Sequence, residues 1–200
     1  MQRKQFKCWL SSFRRLKLRA FVSMDLEDKT IVRKIKEVQE EIVSTGCDIK
    51  LVEEYNFHFS LAFLGEINEV QRSEICKFLG TLDKTSTKIK LSGIGSFPSS
   101  NNPRVIWIGV SDGAELLRES AKRIWPFLEK IGIKIDKRFE PHLTIARVRS
   151  SRNKDKLVAK LAELASAEFG EVLVSPIRLK KSTLTYSGPI YETLCEAGLR

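Results

Sequence analysis

Two short phrases constrain this chain more than anything else in it. His58-Phe59-Ser60-Leu61-Ala62 and His142-Leu143-Thr144-Ile145-Ala146 hold both of its histidines, and each reads imidazole, apolar, hydroxyl, aliphatic, alanine. Extended backbone alternates faces with a period of two. His58 and Ser60 therefore share one face, and Phe57, Phe59, Leu61 and Phe63 share an apolar reverse that must be core. His142 and Thr144 repeat the arrangement over Leu143 and Ile145. Strict alternation also places Ala62 and Ala146 on the polar faces, leaving room beside the hydroxyls. The fold must present two matching strands, each with a buried back and an imidazole-bearing front.

The surrounding pattern supplies those strands twice. Residues 19–26 read as a strand, followed by a helix over 29–44 with Asp28 as its N-cap and Gly46 just past its end. Strands are expected over 48–54 and 57–65, a helix over 69–80, and a half-buried strand over 87–95. The Ser/Asn/Pro-rich stretch 96–103 predicts a loop at the midpoint. A strand over 104–110, a helix over 113–131, the second histidine strand over 139–148 and a helix over 153–166 follow. Strands over 171–180, 182–186 and 190–197 complete the pattern. The expected fold is α+β and bilobal. Two pseudo-symmetric lobes, roughly 18–98 and 99–200, present antiparallel sheets to a central cleft, with helices packed outside.

Residues 1–17 carry six basic side chains and no acid, and are expected to be a basic extension, disordered in one reading, outside the 18–200 domain. They account for six of the net ten positive charges of the 200-residue chain. A basic balance favours an anionic partner such as a nucleic acid without specifying a fold. No uncharged apolar run approaches the roughly 18–20 residues that span a bilayer. Cys8, Cys47, Cys76 and Cys195 form no Cys-x-x-Cys pair. They are expected to be thiols in a reducing, cytoplasmic setting rather than zinc ligands or a dense disulfide framework.

Two imidazoles and two hydroxyls facing one space suit phosphoryl transfer. A neutral imidazole takes a proton from water, a protonated one gives a proton to the departing oxygen, and hydroxyls hold the non-bridging oxygens. A metal site fits poorly, because no carboxylate or thiolate accompanies the histidines in sequence. A Ser–His dyad within one phrase also fits poorly, since side chains two apart on a strand run parallel.

The two phrases resemble the H-x-[ST]-x motifs of the two-histidine phosphoesterase superfamily. Residues 19–26, 56–66 (NFHFSLAFLGE), 141–148 (PHLTIARV) and 182–192 (STLTYSGPIYE) resemble its RNA 2′,3′-cyclic phosphodiesterase branch, also called the 2′-5′ RNA ligase family. Ser60 stands where Thr is commoner. The resemblance implies hydrolysis of an RNA 2′,3′-cyclic phosphate end to a 2′-phosphomonoester with no cofactor and no metal. It further implies His58 as proton donor, His142 as proton acceptor, and Ser60 and Thr144 as phosphate holders. Arg147 is a further phosphate candidate, although strict alternation points it away from the cleft. Arg104, Lys180, Lys181, Tyr55, Phe97 and Tyr186 are weaker candidates for RNA contact, with most of these aromatics expected in the core. A monomer bound to RNA and to no membrane is expected. An RNA-end binding module without turnover, 2′-5′ ligation, and opening of a small cyclic nucleotide remain as alternatives.

Overall fold

The computed structural model describes residues 17–83, 87–186 and 188–198. The expected basic extension therefore lies outside the described residues, apart from Lys17, which pairs with Glu66. Four helices carry apolar stripes: α1 (Lys29–Ser44), α2 (Glu69–Leu79), α3 (Ala114–Lys130) and α4 (Lys154–Glu163). Local signals set their ends. The Asp28 carboxylate accepts from the Thr30 and Ile31 amides at 2.9 and 3.0 Å, and Asn68 forms a reciprocal capping box with Gln71. Gly46, at φ +70°, supplies the left-handed residue that ends α1.

The strands are β1 (Leu18–Asp25), β2 (Ile49–Leu51), β3 (His58–Ile67), β4 (Thr87–Ser99), β5 (Asn102–Asp112), β6 (His142–Val148), β7 (Glu168–Val174), β8 (Arg178–Thr185) and β9 (Gly188–Glu196). They pair antiparallel in the order β7-β4-β5-β6-β3-β1-β8-β9, with β2 added on β6. Ile31, Ile35, Val38 and Ile42 of α1, and Leu117, Ala121, Ile124 and Leu128 of α3, join strand residues in a single core on one face of this sheet. The opposite face is left for the cleft.

Several expectations are corrected. Residues 96–103 are the tip of the β4–β5 hairpin, not a midpoint loop: strand pairing continues to Ser99 opposite Asn102. The chain halves exchange strands, with β4 lying beside β5 and β8–β9 lying beside β1. The stretch 171–180 is two strands broken at Ser175 and Pro176. Cys76 and Cys195 are joined in a disulfide across 119 residues of sequence, where free thiols are expected. Their closeness arises from α2 packing on β9, which no cysteine spacing announces. Cys47 is a buried free thiol.

Candidate active site

β3 and β6 meet at one residue pair, Phe59 opposite Leu143. Both are fully buried in the core. Antiparallel pairing then sets His58 beside Thr144 and Ser60 beside His142 on the opposite face. The four residues singled out in sequence come together as one polar square at the seam between the two lobes.

Each imidazole is tethered in the same way. His58 Nδ1–H donates to the Asn56 carbonyl at 2.7 Å, and His142 Nδ1–H donates to the Glu140 carbonyl at 2.7 Å. A carbonyl only accepts, so the proton sits on Nδ1 and Nε2 is left as the acceptor nitrogen of a neutral ring. Aromatic rings pack on both. His58 lies 4.9 Å from Phe21 and 5.3 Å from Tyr191, centre to centre. His142 lies 5.1 Å from Phe97 and 6.2 Å from Trp107. Gly95 is needed for this packing, since a Cβ there would stand 2.3 Å from the Trp107 ring. The Ser60 hydroxyl sits 3.0 Å from His58 Nε2, a contact that strict alternation argues against.

Burial lowers the His58 pKa to about 4, and the charges of Lys180 and His142 add to that, opposed by the Asn56 carbonyl and Asp25. His142 is lowered too, first by burial and then by the charge of Arg147, against the Glu140 carbonyl. A charge on His142 thus opposes protonation of His58.

Arg147 overturns its expected direction. On β6, Trp107 pairs with Thr144 and Ile106 with Ala146, so Ile145 is a bulged extra residue. On β3, Ser23 pairs with Ser60 and Val22 with Ala62, so Leu61 is bulged at the equivalent place. A bulge reverses the alternation that follows it. Ala62 and Ala146 thereby enter the core, correcting their expected place on the polar face. Arg147 turns into the cleft, where it lines a pocket with Tyr191. Phe63, its counterpart in the first phrase, is 71% exposed rather than buried.

A bulge leaves backbone groups without ladder partners, which is costly under a core. A helix side chain reaches each bulge carbonyl from behind, and the Val52 amide also donates to that of Ile145 at 2.9 Å. Gln39 of α1 donates to the Ile145 carbonyl at 2.8 Å. Trp125 of α3 donates its indole N–H to the Leu61 carbonyl at 3.0 Å.

Beside His58, Asp25 accepts from Lys180 at 2.7 Å and Arg178 at 2.8 Å. Lys180, a weaker candidate for RNA contact in the sequence, is buried within that network. Lys181 pairs with Glu192, and Arg104 is exposed on β5 away from these contacts. Tyr55 and Tyr186 are exposed, against the expectation of core aromatics. Sequence reasoning misses Asn56, Phe21, Tyr191 and Trp107, because their roles rest on tethers and strand neighbours that residue type does not encode. Among the described residues, no three His, Cys, Asp or Glu side chains gather as a metal-binding group, and no helix is long and apolar enough to cross a membrane.

Fold and site together define an α+β protein with a histidine on each of two equivalent strands of one cleft. Residues 20–199 match the AKAP7 2′5′ RNA ligase-like domain. A protein of Aeropyrum pernix named RNA 2′,3′-cyclic phosphodiesterase is 41% identical, with 83% of this chain and 95% of the relative covered. One of that name from Methanocaldococcus jannaschii is 41% identical over 90% of this chain and 99% of its own. A solved Thermus thermophilus structure, 26% identical, superposes with a TM-score of 0.72 over 88% of this chain and 95% of that one. Apo Escherichia coli LigT, 21% identical, shares the fold with a TM-score of 0.69 over 89% of this chain and 95% of its own. The chain belongs to the 2′-5′ RNA ligase-like family of two-histidine phosphoesterases.

Proposed function

We propose that this protein hydrolyses 2′,3′-cyclic phosphate ends of RNA to 2′-phosphomonoesters, with no metal and as a monomer. The observation that carries the reading is the matched pair of tethered imidazoles at a single strand seam, each with Nε2 as the reactive nitrogen. The activity named for the Aeropyrum and Methanocaldococcus relatives supports it.

His142 Nε2 takes a proton from water, whose oxygen attacks phosphorus. The bond from phosphorus to the 3′ oxygen breaks, and that oxygen receives the proton of His58 Nε2. Attack and departure lie on opposite sides of phosphorus, which suits groups contributed by two strands. Ser60 and Thr144 donate hydrogen bonds to the non-bridging oxygens, and the Arg147 guanidinium offsets their charge.

His58 at about 4 is neutral in the free protein near pH 7. A phosphate held between the rings supplies the opposite charge that raises both imidazoles, so the donor acquires its proton together with substrate. Incubating the full chain with a cyclic-phosphate oligonucleotide in excess EDTA tests the proposal, with conversion to the 2′-phosphate as the expected product. Binding without conversion refutes hydrolysis, and loss of activity that added metal restores refutes metal independence.

A second reading has one observation in its favour. The Ser60 hydroxyl contact with His58 Nε2, with Nδ1 anchored on Asn56, has the order of a nucleophile, base and orienting group. Under that reading Ser60→Ala abolishes turnover. Under the proposed mechanism it removes one hydrogen bond and leaves most of the rate.

A further inference from the structure

One charged side chain stands directly opposite His58 in the sheet, that of Asp25 on β1. Directly opposite residues of an antiparallel pair share a face, and the next pair, Met24 with Phe59, turns into the core. Asp25 therefore lies on the cleft side, yet it is only 7% exposed. Its backbone is pinned by Ser175, whose hydroxyl accepts from the Asp25 amide at 2.6 Å and whose own amide donates to the Asp25 carbonyl at 3.1 Å. Its carboxylate accepts from Lys180 Nζ at 2.7 Å and from Arg178 at 2.8 Å. Lys180 is 5% exposed and comes from β8, where it pairs with Phe21, the residue whose ring packs on His58.

The second arm has nothing equivalent. Gly109 of β5 stands opposite His142, where Asp25 of β1 stands opposite His58. A Cβ at Gly109 would come within 2.9 Å of the Ser92 carbonyl, which closes the position to a side chain. The carboxylate that acts on His142 is Glu140, whose side chain is 76% exposed beside Arg118 and screened by water. A buried charge acts through a lower dielectric and so more strongly. Stability alone is a weak reason for a buried ion pair, because desolvation offsets most of its attraction. Opposite one of two matched imidazoles, a carboxylate has a use in acid–base chemistry, since it favours the cation on that ring.

We propose that Asp25, with Lys180 as its counter-charge, is a positioning residue that draws the shared proton to His58 and so makes the first histidine the donor. The proposal rests on the reading of the pair as acid and base. Burial sets the low level of His58 in the free protein; among the charges around it, Asp25 raises it, while Lys180 and His142 lower it. Tyr191 of β9 also faces the ring, and burial pushes its phenol further up, so it stays neutral. Arg178 completes the network, its guanidinium shared among Asp25, Glu27 and Glu196. A substrate covering both rings evens out their burial, and the carboxylate opposite His58 then tips the proton to that side.

NMR titration of the imidazoles tests this without turnover. The chain has two histidines, so there are two ring signals, of which His58→Ala removes one. Lys180→Met leaves Asp25 paired with Arg178 and is expected to raise the His58 midpoint from about 4 by about one pH unit. Asp25→Asn is expected to lower it, and the double variant to return it towards wild type. In hydrolysis of a cyclic-phosphate oligonucleotide, the alkaline limb of kcat, where the donor loses its proton, is expected to follow, up in Lys180→Met and down in Asp25→Asn. A His58 midpoint unmoved in Lys180→Met overturns the proposal, as does an alkaline limb that does not follow it. If Asp25→Asn does not fold, Lys180→Met and the double variant still decide. Absence of hydrolysis with the NMR shifts intact would sink the enzymatic reading and leave the hold of Asp25 on His58 standing.

Discussion

The two histidine arms share one plan and differ in how it ends. Each has an imidazole tethered to the carbonyl two residues upstream, a hydroxyl two residues downstream and a bulge at the next residue. In each, a helix side chain caps the bulged carbonyl from behind. After the bulge, the first arm presents Phe63 and the second presents Arg147. His58 is enclosed by Phe21 and Tyr191 beside a buried Asp25–Lys180 pair, whereas His142 faces the charge of Arg147. A duplicated frame thus holds two chemically unequal environments. That inequality leaves two identical side chains unequally basic, with burial lowering His58 to about 4 in the free protein.

The largest effects are expected where the arms are equal. His58→Ala and His142→Ala each lower kcat/KM by about 10²–10⁴-fold on a cyclic-phosphate oligonucleotide, as removal of a positioned acid or base does. A variant with full activity breaks the equivalence. The next effect separates the arms. Arg147→Ala is expected to cost about 10–100-fold in kcat/KM, the loss of a charge-assisted hydrogen bond to phosphate, while Phe63→Ala costs far less. Comparable losses from both would mean that the bulge does not assign them different work.

Behind the strands the arms become equal again. Trp125→Phe takes the indole donor from the Leu61 carbonyl, Gln39→Leu takes the shared amide donor from the Ile145 and Val52 carbonyls, and each is expected to cost about 1–3 kcal/mol in chemical denaturation. A neutral result at either site would show that the bulge is held some other way. Ser60→Ala is expected to have the smallest effect, roughly fivefold in kcat/KM, with Ser60→Thr near wild type. Complete loss in Ser60→Ala would favour the nucleophilic reading.

Much of this architecture is legible in the amino-acid sequence. The histidine phrases mark both strands, their buried backs at Phe59 and Leu143, and the four residues at the seam, because period-two patterning and residue chemistry agree there. Asp28 and the apolar stripes place the first three helices within a residue or two, and the fourth ends three residues before its expected limit. The failures share one physical cause. A bulge is a property of two strands paired together, so nothing in the one-dimensional pattern around Leu61 or Ile145 announces it. Strict alternation consequently puts Ala62, Ala146, Phe63 and Arg147 on the wrong face. The Cys76–Cys195 disulfide and the Asn56 tether escape the sequence pattern for a related reason, since each depends on which elements end up adjacent.

The central claim is that two imidazoles of unequal surroundings share one proton across one phosphate, and pH–rate profiles test it most directly. For kcat/KM, the singly protonated pair is populated between the free-site pKa values, so wild type should show a bell with its maximum on the acid side of neutrality, its lower limb near the His58 value of about 4. Bound phosphate raises both rings, so the kcat bell should lie at higher pH, and His58→Ala and His142→Ala should each lose one limb. A profile that is flat from pH 4 to 8, or that keeps both limbs in either variant, would contradict the account.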